Sequence, residues 1–269
     1  MKSFLMITGA TGGLGSAFVL EAARRGYDLL LTDRAPEGTS FAGRLAEKFN
    51  ISVVYQPCDL ADDSAREKLL AGFKAEGYRF WGLINVAGLD NEGGFLERNR
   101  AQILKILQIN ILATMDVTHG ILPLRDPDQQ FRLINVCSMA SFYAMPFKAT
   151  YAASKRFLLD FSRALREEIK PFGSVTALCP SGMPTTVECM RSMFAQGFLG
   201  TGDQHEPGGC RPNYDEGCSE GSVFGHSRLD QPVDSCHQQS CAPISCHEVR
   251  RQALECSARQ TGRPACYYE

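Results

Sequence analysis

From residue 3 to residue 180 the chain alternates between short apolar runs and longer amphipathic stretches. The runs at 3–8, 28–32, 51–55, 81–86, 131–137 and 174–179 are rich in Leu, Ile, Val and Phe, and they predict strands. The segments near 14–25, 39–49, 62–75, 98–122 and 150–170 repeat their apolar positions at helical spacing. Gly26 is placed to stop the first helix, and Asp62 or Asp63 to cap the third. A strand–helix–strand rhythm of this kind implies right-handed crossovers. The expected architecture is therefore α/β, a doubly wound parallel sheet with helices on both faces.

The pattern stops near Gly200. Between 201 and 269 the strongly apolar residues are seven (Val223, Phe224, Leu229, Val233, Ile244, Val249, Leu254), against seven Cys, seven Gly and five Pro. Such a stretch cannot bury enough surface to offset the ordering of its own chain. The expected organisation is an α/β domain over 1–200 and an irregular tail over 201–269. That tail is read as disordered or as the product of a shifted reading frame starting near Leu199-Gly200-Thr201. A metal-binding tail is the rival, motivated by Cys236-His237, Cys241 and Cys246-His247. No Cys-x-x-Cys knuckle supports it, and no metal site is predicted. The four remaining cysteines (Cys58, Cys137, Cys179, Cys189) fall mostly at strand ends, where a thiol behaves as a small hydrophobe.

Charge narrows the function classes. The formal net charge is −2, without a basic stripe of the kind that tracks nucleic acid. No apolar stretch approaches the roughly 20 residues that span a bilayer. Met1 is followed almost at once by Phe4-Leu5-Met6-Ile7, which leaves no room for a signal peptide, so a cytoplasmic location is expected.

Two groups of residues carry chemistry. The first is Thr8-Gly9-Ala10-Thr11-Gly12-Gly13-Leu14-Gly15, which follows a strand and opens a helix. Gly9 permits a tight turn, Gly13 lets backbone approach a pyrophosphate, and Gly15 lets the helix pack close to the sheet. Asp33 ends the second strand, where a carboxylate accepts from an adenosine 2′-hydroxyl and repels a 2′-phosphate. Arg34 points the other way, because a guanidinium pairs with that phosphate. NAD is favoured and NADP stays open. Asp59 is placed to meet the adenine edge or to begin a turn.

The second group is Tyr151-Ala152-Ala153-Ser154-Lys155. Four residues is one helical turn, so the phenol and the ammonium share a helix face. A tyrosine near pKa 10 transfers protons poorly at neutrality, and a neighbouring cation favours its phenolate. Ser138 lies thirteen residues earlier, at the end of an apolar run; it reads as an oxyanion donor or as a helix cap. Tyr143 is a rival tyrosine, but no lysine follows it by four. Asn110, in the apolar run Ile106 to Ile111, reads as a site residue or as a buried polar brace.

With these motifs in view, residues 1–200 resemble the short-chain dehydrogenase/reductases. The matching residues are Thr8-Gly9-x-x-x-Gly13-x-Gly15, Asp59-Leu60, Asn85-Val86-Ala87-Gly88, Asn110, Ser138, Tyr151-x-x-x-Lys155 and Pro180-Ser181-Gly182. In that family Pro and Gly are usually adjacent in the last motif, and here Ser181 separates them. The resemblance implies a Rossmann-like fold and an NAD- or NADP-dependent oxidoreductase interconverting a ketone, such as a 3-oxoacyl group, and a secondary alcohol. It makes Tyr151 the general acid/base and gives Lys155 two tasks, lowering the Tyr151 pKa and binding the nicotinamide ribose. Ser138 becomes the donor to the substrate oxygen, and Asn110 the holder of a water behind Lys155. It implies cofactor contacts from Thr8, Gly9, Thr11, Gly13, Leu14, Gly15, Asp33, Arg34, Asp59, Leu60, Asn85, Ala87, Gly88, Pro180 and Gly182. Phe142, Tyr143, Met145, Phe147, Met183 and Met190 suggest an apolar substrate pocket. Family members pair subunits through helices like those at 98–122 and 150–170, which implies a homo-oligomer. The alternatives are a non-catalytic dinucleotide-binding regulator on the same fold and a product inactivated by its tail.

Overall fold

The computed structural model describes residues 2–90 and 92–181. The expectations for Gly182, Met183, Met190 and the 201–269 tail lie outside the described residues. Among the described residues six strands, β1 (Ser3–Thr8), β2 (Leu29–Asp33), β3 (Val53–Pro57), β4 (Arg79–Asn85), β5 (Phe131–Val136) and β6 (Gly173–Leu178), form one sheet in the order β3-β2-β1-β4-β5-β6. Every pairing is parallel. The order reverses beside β1, which opens a crevice at the strand ends between β1 and β4.

Alternation along the strands, interrupted in β4 by an irregularity after Phe80, builds two cores. Phe4, Met6, Leu30, Leu83 and Leu133 face one side, with Phe73 of α3 (Asp63–Ala75), Val117 and Ile121 of α5 (Thr114–Ile121) and Leu165 and Ile169 of α6 (Ala149–Ile169). Leu5, Ile7, Leu29, Leu31, Ile84 and Ile134 face the other, against Phe18, Val19 and Ala22 of α1 (Gly13–Arg24) and Leu45 of α2 (Gly38–Phe49). No described helix is long and apolar enough to cross a membrane.

Element boundaries moved where local hydrogen bonds outcompeted hydrophobic pattern. The strand expected at 51–55 begins at Val53 because Asn50 caps α2 in the left-handed region (φ 51) and Ile51 N still donates to Ala46 O at 3.3 Å. Asp62 is the cap of α3, accepting from Ala65 N at 3.1 Å, and Gly26 ends α1 at φ 77. The single helix expected over 98–122 is two: α4 (Arg100–Leu107) and α5, separated by a π-helical turn over Gln108–Ala113. Asn99 and Gln102 close the start of α4 as a reciprocal capping box.

Arg66 of α3 is 3% exposed. It donates to Leu60 O at 2.8 Å, Asp116 Oδ2 of α5 at 2.8 Å and Asp63 Oδ1 at 2.5 Å. Breaking a buried pair typically costs about 3–5 kcal/mol; here Asp63 and Asp116 reach solvent, so Arg66→Ala is expected to cost roughly 2–3 kcal/mol. A urea-unfolding midpoint shifted no further than that of Arg156→Ala, which breaks the exposed pair with Asp160, would show the Arg66 anchor to be idle.

Candidate active site

The glycine loop lies at the crevice because β1 ends at Thr8 and α1 begins at Gly13. Gly9 has φ +63, and a Cβ there would lie 2.8 Å from Ala87 N. A Cβ on Gly15 would lie 1.9 Å from Gly9 O. Thr8 Oγ1 accepts from the backbone N–H of Val86 and Ala87 at 3.1 and 3.2 Å, which locks the β1 and β4 ends together. The N-cap of α1 is Gly12, which has no side chain to cap it, and the first turn carries no acid. Its amide groups are therefore free to meet an anion.

Asp33 closes this loop from β2. Its Oδ2 accepts from Thr11 N and Thr11 Oγ1 at 3.0 and 2.7 Å, and its Oδ1 accepts from Arg34 N at 2.7 Å. Thr11 and Asp33 are thereby one unit, a link that sequence spacing did not reveal. Asp59 is exposed and accepts from Ala61 N at 3.0 Å, a turn-starting contact. Two residues assigned to the cofactor hold their side chains in the core. Leu60 packs with Leu30 and Phe73. Asn85 donates to Thr118 Oγ1 at 3.0 Å and Asn135 Oδ1 at 2.9 Å, and Asn135 donates onward to Ser162 Oγ at 2.9 Å. A buried amide finds partners, and here they form a ladder that ties β4 and β5 to α5 and α6.

Ser138 follows β5, and its Oγ accepts from Ala140 N at 3.2 Å, capping the short turn Met139–Phe142. The capping and donor readings are compatible, because an accepting hydroxyl keeps its own hydrogen to donate. That turn packs on α6. On α6, Lys155 is 4% exposed, and its Nζ donates to Val136 O at 2.8 Å. The ammonium lies 5.9 Å from the centre of the Tyr151 ring. Burial pulls the Lys155 pKa down to about 8, against an opposing influence of Cys137, Asp90 and Cys179.

Asn110 is fully buried in the π-helical turn. Its Oδ1 accepts from Leu89 N at 2.8 Å, and its Nδ2 donates to Leu89 O at 3.0 Å and Ser154 Oγ at 2.9 Å. Ser154 in turn donates to Tyr151 O at 2.7 Å. A Cβ on Gly88 would lie 3.2 Å from Lys155 Nζ and 3.3 Å from Asn110 Oδ1. The fold thus brings Gly88, Asn110, Ser154 and Lys155 together, with the Asn110 side chain acting as the polar brace.

Sequence reasoning missed Ser154 and Lys148. Lys148 Nζ lies 5.8 Å from the Tyr151 ring centre and pairs with Asp90 Oδ2 at 2.6 Å and Glu92 Oε2 at 3.5 Å. Burial pulls its pKa down, but the Asp90 and Glu92 carboxylates together outweigh burial and hold it above the usual lysine range. Its place three residues before Tyr151 was the available signal. Gly93 N donates to Phe147 O at 2.8 Å, and Phe147 has φ 64, unusual for a bulky side chain. Next to Thr150 these segments line a small concavity with Phe95, Arg98, Ile103 and Ile106. Of the suggested pocket residues, Phe147 lines it, whereas Phe142 packs with Cys137, Leu158 and Leu159.

The sequence profile described as short chain dehydrogenase matches residues 3–193. The chain belongs to this family. Its parallel six-stranded sheet is the Rossmann-like fold of short chain dehydrogenases. A curated relative is the very-long-chain 3-oxoacyl-CoA reductase of Coprinopsis cinerea, 29% identical over 176 residues that make up 64% of this chain and 52% of the relative. The chain thus spans about half the length of that curated relative. An alcohol dehydrogenase from the archaeon Thermococcus sibiricus complexed with 5-hydroxy-NADP superposes with a TM-score of 0.64 at 20% identity, over 69% of this chain and 78% of that one. A short chain dehydrogenase/reductase from Burkholderia phymatum in complex with NAD gives 0.61 at 23% identity, over 71% and 69%.

Proposed function

We propose that this short chain dehydrogenase is a nicotinamide-dinucleotide-dependent oxidoreductase that interconverts a ketone, of the 3-oxoacyl class, and a secondary alcohol. The observation that carries the reading is the placement of Lys155. Its ammonium is anchored to Val136, the last residue of β5 and two residues before Ser138, and the lysine sits one helical turn from Tyr151. Membership of the family and the name of the Coprinopsis relative support the same class of reaction.

The residues present suit a dinucleotide. Pyrophosphate would meet the open amide groups of α1 at Gly13, Leu14 and Gly15, where Gly9 and Gly15 leave no room for side chains. Asp33, steadied by Thr11, would meet the adenosine ribose, with Arg34 beside it. Thr8, Ala87, Gly88 and Pro180 would border the rest of the crevice. When bound, the nicotinamide supplies or accepts the hydride. Tyr151 gives its hydroxyl proton to the substrate oxygen in reduction and takes it back in oxidation. Lys155 favours the phenolate left behind. Ser138 donates a hydrogen bond to the same oxygen as charge develops there. Asn110, through Ser154, holds the backbone of Tyr151 in place.

The direct test is consumption of NADH or NADPH by the full chain with a panel of ketones that includes a 3-oxoacyl thioester. Saturable nucleotide binding without turnover of any member would favour a dinucleotide-binding regulator. NADH is expected to bind more tightly than NADPH, because the Asp33 carboxylate repels a 2′-phosphate. Asp33→Asn keeps an acceptor for Thr11 and removes the charge, so it should narrow the difference about tenfold, which equals about 1.4 kcal/mol. Tighter binding of NADPH by the unmodified chain would reverse the assignment.

A further inference from the structure

The β5–β6 ladder continues beyond its last paired residues, Val136 and Leu178. Cys137 N donates to Leu178 O at 2.7 Å, and Met139 N donates to Pro180 O at 2.9 Å. The same donor pattern holds at the start of the ladder, where Phe131 pairs with Gly173 and its N–H reaches Phe172 O. Cys137 and Cys179 are therefore directly opposite one another. Residues opposite in a parallel ladder project to the same face of the sheet.

Both thiols are free. Cys137 is 2% exposed and packs with Leu158 and Leu159 of α6, and Cys179 leans on that cluster while remaining partly open. The Cys137 and Cys179 thiols share a hydrogen bond, and Cys179 also accepts from the backbone N–H of Ser138. The shared hydrogen bond keeps the proton on Cys137, raising its pKa, and favours the thiolate of Cys179, lowering its pKa. Neighbouring strands lie about 4.8 Å apart, inside the roughly 4.4–6.8 Å span of disulfide-bonded Cα atoms. Two buried hydrophobes would not need to share a proton. One partly open sulfur opposite one buried sulfur on the same face of the ladder is the arrangement of an attacking and a resolving thiol.

We propose that Cys137 and Cys179 are a dithiol modification site, which a small-molecule disulfide of the glutathione class oxidises to a disulfide bridging the ends of β5 and β6. The Cys179 thiolate attacks one sulfur of the small disulfide, forming a mixed disulfide and expelling one small thiolate. Cys137 then loses its proton to solvent, and its thiolate attacks the Cys179 sulfur, expelling the second. Two protein thiols are oxidised, one small disulfide is reduced to two thiols, and the atoms balance. The bridge withdraws the Cys179 sulfur from the Ser138 N–H.

The experiment uses the full chain and does not depend on the proposed reaction. In native protein, iodoacetamide should label Cys179 well before Cys137 and Cys58, as read by peptide mass mapping. After exposure to oxidised glutathione, a denaturing alkylating quench should leave a linked pair of peptides joining Cys137 to Cys179, two hydrogens lighter than their sum. Dithiothreitol should abolish it, and neither Cys137→Ala nor Cys179→Ser should form it. In Cys137→Ala, Cys179 should stop at the glutathione adduct. Cys137 recovered fully alkylated while other cysteines oxidise would overturn the proposal, as would Cys179 linked only to a different cysteine.

Discussion

Tyr151→Phe is expected to lower turnover about 10²–10⁴-fold while leaving nucleotide binding within about twofold of the original. The substitution removes one oxygen from a half-buried residue and leaves the ring, near Lys148 and Lys155, in place. It also leaves the backbone carbonyl that holds Ser154. A loss of nucleotide affinity as large as the loss of rate would mean that the phenol binds rather than transfers a proton. Lys155→Met is the companion measurement, because it separates catalysis from stability. Burial draws the Lys155 pKa from 10.5 to about 8, so the folded chain holds that charge at a cost. A gap of this size corresponds to roughly 3 kcal/mol. The sign follows from proton linkage: between pH 8 and 10.5 the unfolded chain binds more protons than the folded one, so the original protein gains stability as pH rises through that window. Below it the cost is fully present. Lys155→Met should therefore lose activity, keep or raise its melting temperature at pH 7, and fail to show the gain above pH 8. A melting temperature that falls sharply at pH 7 would show the ammonium to be a structural necessity.

Gly15→Ala is expected to cost at least about 3 kcal/mol of stability and to abolish nucleotide binding. The added carbon would meet Gly9 O at 1.9 Å and Ala10 Cα at 3.1 Å, both rigid parts of the loop. Relief requires α1 to move away from the sheet, which pulls the amide groups at its start from the crevice. Gly43→Ala is the contrasting case. It lies inside α2 with nothing within 4 Å of an added Cβ, so the same substitution there should stabilise by about 0.5–1 kcal/mol. Thermal melts and nucleotide titrations of the pair check both signs. Equal effects at the two positions would mean that helix propensity, and not contact with the loop, governs the site.

Much of the fold was legible because burial leaves its period in the chain. Phe4 and Met6 face one core while Leu5 and Ile7 face the other, and the strands behave in this way except β4, where an irregularity after Phe80 puts Phe80 and Leu83 on the same face. The glycine loop was legible for a related reason, since a tight turn between β1 and α1 needs residues without side chains at fixed positions. Three features were not. The π-helical turn at Gln108–Ala113 has the same apolar composition as the helices around it, and periodicity does not distinguish the two hydrogen-bond patterns. The burial of Arg66 leaves no local signal in the chain, because Leu60 O and two carboxylates converge on it only in the fold. The core partners of the Asn85 amide, Thr118 and Asn135, lie 33 and 50 positions away and were the third.

The one-dimensional order of residues settled the alternation of strands and helices, the place of the glycine-rich turn and the nearness of Tyr151 to Lys155, because each depends on contacts within a few residues along the chain. Only the folded sheet decided that Lys155 is anchored to Val136, that Asn110 reaches Tyr151 through Ser154, that Thr11 and Asp33 act together, and that Cys137 meets Cys179. Those partners lie 19 to 44 positions apart. What joins them is strand register and the competition of buried polar groups for partners, neither of which local sequence encodes.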